Sequence, residues 1–246
     1  MFRMLPKVYF RAQVSHYVLF LVGRVGSTYL TSLLNSHGEI QALGEKSRDL
    51  RDFDAESQLK VAKELLTPPL LGKYQVTGFN AKLVHIKDLD GFAQILQQAK
   101  CKIIHLKREN RVKAVVSYLN GKRLAAATGM YGLFKETDRL PSFSVDFEEF
   151  EAALQLREKS DLELEAYVNQ LQSPKLILSY EELLKNQDVF LQRVFSFLEV
   201  EIRPVTGKTL KITSDDLRDV IDNFDDLRAR YRGTQYEPMF DEVIIN

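Results

Sequence analysis

The sequence predicts an α/β protein of three layers, a mainly parallel central sheet flanked by helices. Three observations lead there. Short uninterrupted apolar runs (Tyr17 to Val22, Ile103 to Leu106 around one histidine, Leu176 to Leu178) read as strands buried on both faces. Between them lie segments with apolar residues at helical spacing, so strands and helices alternate and their sheet is expected to be parallel. The 246 residues, 45% apolar and 28% charged, are enough for a sizeable core. No repeat, low-complexity tract or Pro/Gly/Ser linker divides the chain, so residues 1–246 are expected to form one domain.

Taken in order, the first strand runs through Val18 and Leu19 into Gly23-Arg24-Val25-Gly26-Ser27-Thr28, and Leu30, Leu33 and Leu34 then begin a helix that Gly38 stops. Gln41 to Lys46, with Gly44-Glu45, reads as a returning loop. Leu59, Ala62, Leu65 and Leu66 mark a helix closed by Pro68-Pro69, and Tyr74 to Phe79 a short strand. Asp88 caps a helix through Lys100 with Leu89, Phe92, Ile95 and Leu96 on one face. The strand at Ile103 to Leu106 leads through Arg108 to a helix striped by Val112, Val115, Val116 and Leu119. Asn120 to Phe143 is broken by Gly121, Gly129 and Gly132, and reads as a lid or acceptor-binding loop, or a surface connection with a short helix at Leu124 to Thr128. Asp146 to Gln172 is a charged helix whose acidic run reads as a solvated face. Leu176 to Leu178 is a strand followed by Ser179-Tyr180-Glu181-Glu182-Leu183, and Leu191 to Leu198 a core helix. Thr213 and Asp216 suggest a capping box for a last helix with Leu217, Val220, Ile221, Phe224 and Leu227.

Composition excludes several classes. Thirty-four basic residues balance thirty-four acidic ones, so no global field recruits nucleic acid or an anionic membrane. The one cysteine, Cys101, rules out an internal disulfide and a cysteine metal cluster and fits a reducing compartment. Arg3, Lys7 and Arg11 interrupt the N-terminal apolar residues, no leader pattern or membrane span follows, and the expected location is cytoplasmic. His16, His37, His85 and His105 are isolated from one another, so no metal site is expected.

The turn after the first strand has the chemistry of an anion site. A helix N-terminus leaves N–H groups unpaired and carries partial positive charge. Ser27 and Thr28 add hydroxyls, and Arg24 a charged fork. The loop is not a Walker A motif: its glycines stand two residues too close, and Ser27 takes the lysine's place. That opposes an atypical P-loop kinase, a reading kept as an alternative.

The sequence resembles the sulfotransferases that use 3′-phosphoadenosine-5′-phosphosulfate (PAPS). Arg24-Val25-Gly26-Ser27-Thr28, followed by Leu33-Leu34-Asn35-Ser36-His37, is similar to their 5′-phosphosulfate loop. Leu106, Arg108, Asn110 and Ser117 match, position for position, the motif of a large subgroup in which the arginine and serine hold the 3′-phosphate. Tyr180-Glu181-Glu182-Leu183 matches a further motif, of structural role. Lys211, Asn223-Phe224-Asp225-Asp226-Leu227 and Gly233-Thr234 match a C-terminal pattern that closes over the nucleotide, which makes Lys208, Lys211, Arg232 and Gly233 cofactor-binding candidates, with surface charges as the alternative. The likeness spans residues 18–236 and departs at Gly78-Phe79-Asn80, where relatives have G-F-K and the nearest lysine is Lys82.

The resemblance implies a P-loop-like sulfotransferase fold and metal-independent transfer of a sulfuryl group from PAPS to a hydroxyl or amine, with carbohydrates or small metabolites as acceptors. Arg24 would hold the bridging oxygen. Relatives that sulfate sugars place a glutamate in a G-E motif after the first helix, so Glu45 is the candidate base, with a solvated loop carboxylate as the alternative. His37 is the second candidate, with capping as its other role. A PAPS-binding protein without catalysis is the alternative from another class.

Overall fold

The computed structural model describes residues 8–10, 13–133, 135–207 and 213–244. Its centre is a five-stranded parallel sheet: β2 (Ser15–Phe20), β3 (Ile40–Glu45), β5 (Val76–Ala81), β6 (Lys102–Lys107) and β7 (Lys175–Ser179), in the order β3-β5-β2-β6-β7. A separate antiparallel pair, β1 (Tyr9–Phe10) with β4 (Leu71–Gly72), makes the sheet content mainly, not wholly, parallel.

β2 is central, and its residues alternate between two cores. Tyr17 and Leu19 pack with Leu30, Leu33 and Leu34 of α1 (Ser27–Ser36) and with α7 (Tyr180–Lys185) and α8 (Gln187–Leu198). Val18 and Phe20 face the other way, onto α3 (Ala55–Leu65), α4 (Leu89–Gln98) and α6 (Phe147–Gln170). A strand covered on both faces has no polar side, which is why its sequence shows no alternation. A third core joins α5 (Arg111–Thr128) and α6 to the C-terminal segment with α9 (Phe224–Arg230) and α10 (Glu237–Asp241). α2 (Lys46–Asp49) is a single turn.

The helix starts have their expected chemistry. Asp88, Asn110 and Asp146 accept from the backbone N–H three residues on at the starts of α4, α5 and α6. Three elements differ from the sequence reading. Residues 40–45 form an edge strand, not a loop. α5 continues through Gly121 to Thr128, so only the latter part of the expected 120–143 loop is irregular. The last expected helix is two pieces: a 3₁₀ turn at Leu217–Asp219, where Asp216 accepts from Arg218 N, and then α9. Thr213 is not its cap; its Oγ1 is buried without a hydrogen-bond partner among the described residues. Leu217, Val220, Ile221, Phe224 and Leu227 are buried all the same, because a broken helix can keep its apolar side on the core.

A candidate anion-binding and active site

The loop between β2 and α1 lies at the carboxyl end of the sheet, where open parallel sheets bind ligands. Arg24 has φ 67 and Gly26 φ 74, both left-handed. Gly26 precedes α1, and no side chain caps that helix start. The first N–H groups of α1 therefore face the loop without intrahelical acceptors. Gly26 is also required by space: a Cβ there would lie 2.5 Å from the Tyr180 ring.

Arg24 and Arg108 meet here from adjacent strands. Arg108 Nη1 donates to the Arg24 carbonyl at 3.3 Å, and Arg24 Nε donates to Ser117 Oγ at 3.1 Å. Arg24 Nη1 donates to the Tyr131 carbonyl at 3.1 Å. Burial first, and the charge of Arg108 second, bring the Arg24 guanidinium down to about 10, so it stays protonated at neutral pH. Burial likewise lowers Arg108. Among the described residues Glu181 is its ion-pair carboxylate, with Oε1 3.9 Å from Arg108 Nε, which has no hydrogen-bond partner among them, and Asp215 acts on it from further off. Glu181 is itself engaged by two backbone donors, Glu109 N and Asn110 N, at 3.0 and 3.2 Å. A buried and a half-buried cation thus lie side by side, only Arg108 with a long ion pair to a carboxylate among the described residues, and an anion beside them would relieve both desolvation and mutual repulsion.

The sequence matches the sulfotransferase domain family over residues 18–225. The chain belongs to that family. Solved structures similar to this sulfotransferase domain include mouse sulfotransferase SULT7A1 complexed with PAP, 14% identical over 87% of this chain and 67% of that one, with a TM-score of 0.43. Another, a sulfotransferase from Alicyclobacillus acidocaldarius, is 15% identical over 91% and 95% of the two chains, with a TM-score of 0.47. The sulfotransferase domain from the curacin biosynthetic pathway is 16% identical over 77% and 75%, with a TM-score of 0.45. No curated protein matches the sequence.

In this sulfotransferase domain, Val25 is fully buried under the loop, and Ser27, half-buried, and Thr28, exposed, open α1. Glu45 ends the edge strand. The register of β3 on β5 shifts between Ala42 and Glu45, and Gly44 takes φ 70, a bulge that re-aims the carboxylate. Glu45 Oε1 lies 2.9 Å from Lys82 Nζ and 3.5 Å from His85 Nδ1. A Cβ at Gly23 would lie 3.7 Å from the same Lys82 Nζ, so this ion pair stands beside the loop. Asn80 is 5% exposed and donates to Thr31 Oγ1 of α1 at 3.1 Å. Lys82, just past the end of β5, is the lysine that pairs with Glu45.

Other candidates lie elsewhere. His37 is the C-cap of α1, at the opposite end from Gly26, about 15 Å away at the helical rise. Its Nε2 is 2.7 Å from the Glu201 carbonyl and its ring packs on Phe195. In this placement His37 fastens the helix end, the capping role that was its other reading. Arg232 and Gly233 are exposed beyond α9, with Gly233 N donating to Glu237. Lys208 and Lys211 lie outside the described residues. On either side of them, Gly207 lies close against the Tyr29 ring of α1, Thr213 is buried, and Asp215 pairs with the buried Lys113 of α5 at 2.9 Å.

Sequence reasoning gave Tyr180 only a structural role and passed over Lys113 and Arg157. Tyr180 does more than its structural motif suggested, since its ring supports Gly26 on one side and lies 4.9 Å from the Arg108 guanidinium on the other. Lys113 had a signal, being four residues before Ser117 on one helix face. Arg157 had none.

Proposed function

We propose that the protein is a PAPS-dependent sulfotransferase acting on a hydroxyl or amine acceptor, with carbohydrates among its acceptors, as one cytoplasmic domain. The convergence of Arg24, Arg108 and Ser117 on one loop carries this reading, because Arg24 comes from one strand–helix unit and Arg108 with Ser117 from another. The donor set fits a bisphosphorylated nucleotide: one anion at the start of α1 and a second beside Arg108 and Ser117.

In this reading Arg108 and Ser117 bind the 3′-phosphate, and the loop residues Val25 to Thr28 with Arg24 bind the 5′ end. PAPS supplies the sulfuryl group when bound. The acceptor oxygen forms a bond to sulfur while the sulfur–oxygen bond to the phosphate breaks. Arg24 and the α1 N-terminus stabilise the negative charge gathering on the departing phosphate oxygen. Glu45 accepts the acceptor's proton, and Lys82, at 2.9 Å, holds that carboxylate in place. Lys211, Arg232 and Gly233 are assigned to the cofactor by family resemblance.

The test is a thermal-shift panel followed by transfer of labelled sulfate. 3′,5′-ADP should stabilise the protein and Mg-ATP should not. Stabilisation by Mg-ATP alone would favour a kinase. Stabilisation by 3′,5′-ADP without transfer to any of a pool of sugars, lipids and phenols would favour a nucleotide-binding protein that lacks catalysis.

A further inference from the structure

Arg157 sits in the middle of α6, yet it is only 7% exposed. Its Nη1 donates to the Gly23 carbonyl at 2.8 Å, across 134 residues of chain. Its Nε is held by Asp161, 2.9 and 3.0 Å from the two carboxylate oxygens, and Asp161 also accepts from Arg111 Nε at 3.2 Å. Its Nη2 is buried with no hydrogen-bond partner among the described residues.

Gly23 is followed by Arg24, whose own carbonyl Arg108 holds. Two consecutive loop carbonyls are therefore gripped by two arginines from different helical and strand units, and the left-handed Arg24 lies between those grips. A non-glycine residue in that region persists only where its surroundings over-determine it. A neutral or flexible side chain at 157 would leave the Gly23 carbonyl free to rotate, and the amides that follow would lose their common direction.

We infer that Arg157 is a positioning residue for the anion loop: braced by Asp161, it holds the Gly23 carbonyl and so fixes the backbone that presents Arg24 and the α1 N-terminus to the 5′ end of the nucleotide. This rests on the nucleotide reading above. Because Arg157 acts through the loop and not on the 3′-phosphate, its loss falls equally on nucleotides with and without that phosphate.

The test compares wild type, Arg157→Gln and Arg157→Lys by calorimetry with 3′,5′-ADP and with 5′-AMP, and by hydrogen exchange of the peptide covering residues 23–30. A lysine keeps the charge but cannot serve Asp161 and the Gly23 carbonyl together in fork geometry. Both variants should bind both nucleotides more weakly by the same factor, about tenfold, with faster exchange in that peptide. Wild-type affinities with wild-type exchange would overturn the inference. So would a loss confined to 3′,5′-ADP, which would put Arg157 on the 3′-phosphate itself. If Arg157→Gln does not fold, Arg157→Lys is judged by the same outcomes. If wild type fails to bind 3′,5′-ADP, the nucleotide reading falls, while loop exchange still decides whether Arg157 fixes the loop.

Discussion

Gly26→Ala tests the architecture of the loop by two separable effects. Gly26 has φ 74, where a side chain costs about 1–2 kcal/mol. The added Cβ would also lie 2.5 Å from the Tyr180 ring. That ring cannot retreat cheaply, since it is 9% exposed and backed by the Arg108 guanidinium at 4.9 Å. Forcing a methyl into such packing costs about 1–3 kcal/mol more. The expected destabilisation is about 2–5 kcal/mol, a fall in melting temperature of roughly 4–20 °C for a chain of this size. Repeating the substitution in a Tyr180→Ala background removes the packing part and leaves the backbone part. Urea denaturation of the four proteins gives the coupling directly. A penalty below about 1 kcal/mol, unchanged in the Tyr180→Ala background, would refute both the left-handed turn and the close packing.

Other substitutions address the chemistry. Arg108→Ala should weaken 3′,5′-ADP binding by about 1.5–3 kcal/mol and 5′-AMP binding much less, as read by calorimetry; an equal loss for both would detach Arg108 from the 3′-phosphate. Glu45→Gln should lower the transfer rate by roughly 10²–10⁴-fold with 3′,5′-ADP affinity kept, and a near-normal rate would remove Glu45 as the base. Stability should fall as the medium is acidified. Burial depresses both His16 and His105 below the ordinary value of 6.5, so below it the unfolded chain binds more protons than the folded one. Their contribution is complete above that value and declines as pH drops through the folded-state values, at up to about 1.4 kcal/mol per pH unit for each histidine. His16→Gln should make the decline of the urea midpoint shallower, and an unchanged slope would mean that folding does not shift the titration of His16.

The sequence by itself determined the three layers and the strand ends from which Arg24 and Arg108 meet. Apolar runs without alternation can be satisfied only by strands covered on both faces, and local caps such as Asp88, Asn110 and Asp146 mark their helices through hydrogen bonds three residues away. Arg24 with Gly26, and Arg108 with Ser117, were legible because each pair lies within one strand–turn–helix unit. The edge strand at 40–45 was hidden, since Gln41, Gly44 and Glu45 have little strand character and only pairing with β5 makes them one. The break in the last helix was hidden for the same reason: the core at Leu217 and Phe224 decides the path there, not local spacing. Only the tertiary structure could bring Arg157 to Gly23, Tyr180 beneath Gly26 and Lys82 to Glu45. Each of those contacts joins residues with no periodic relation in sequence. A buried arginine is chosen by the carboxylate and carbonyl that surround it after folding, and on a charged helix such as α6 it looks like any other surface cation until they do.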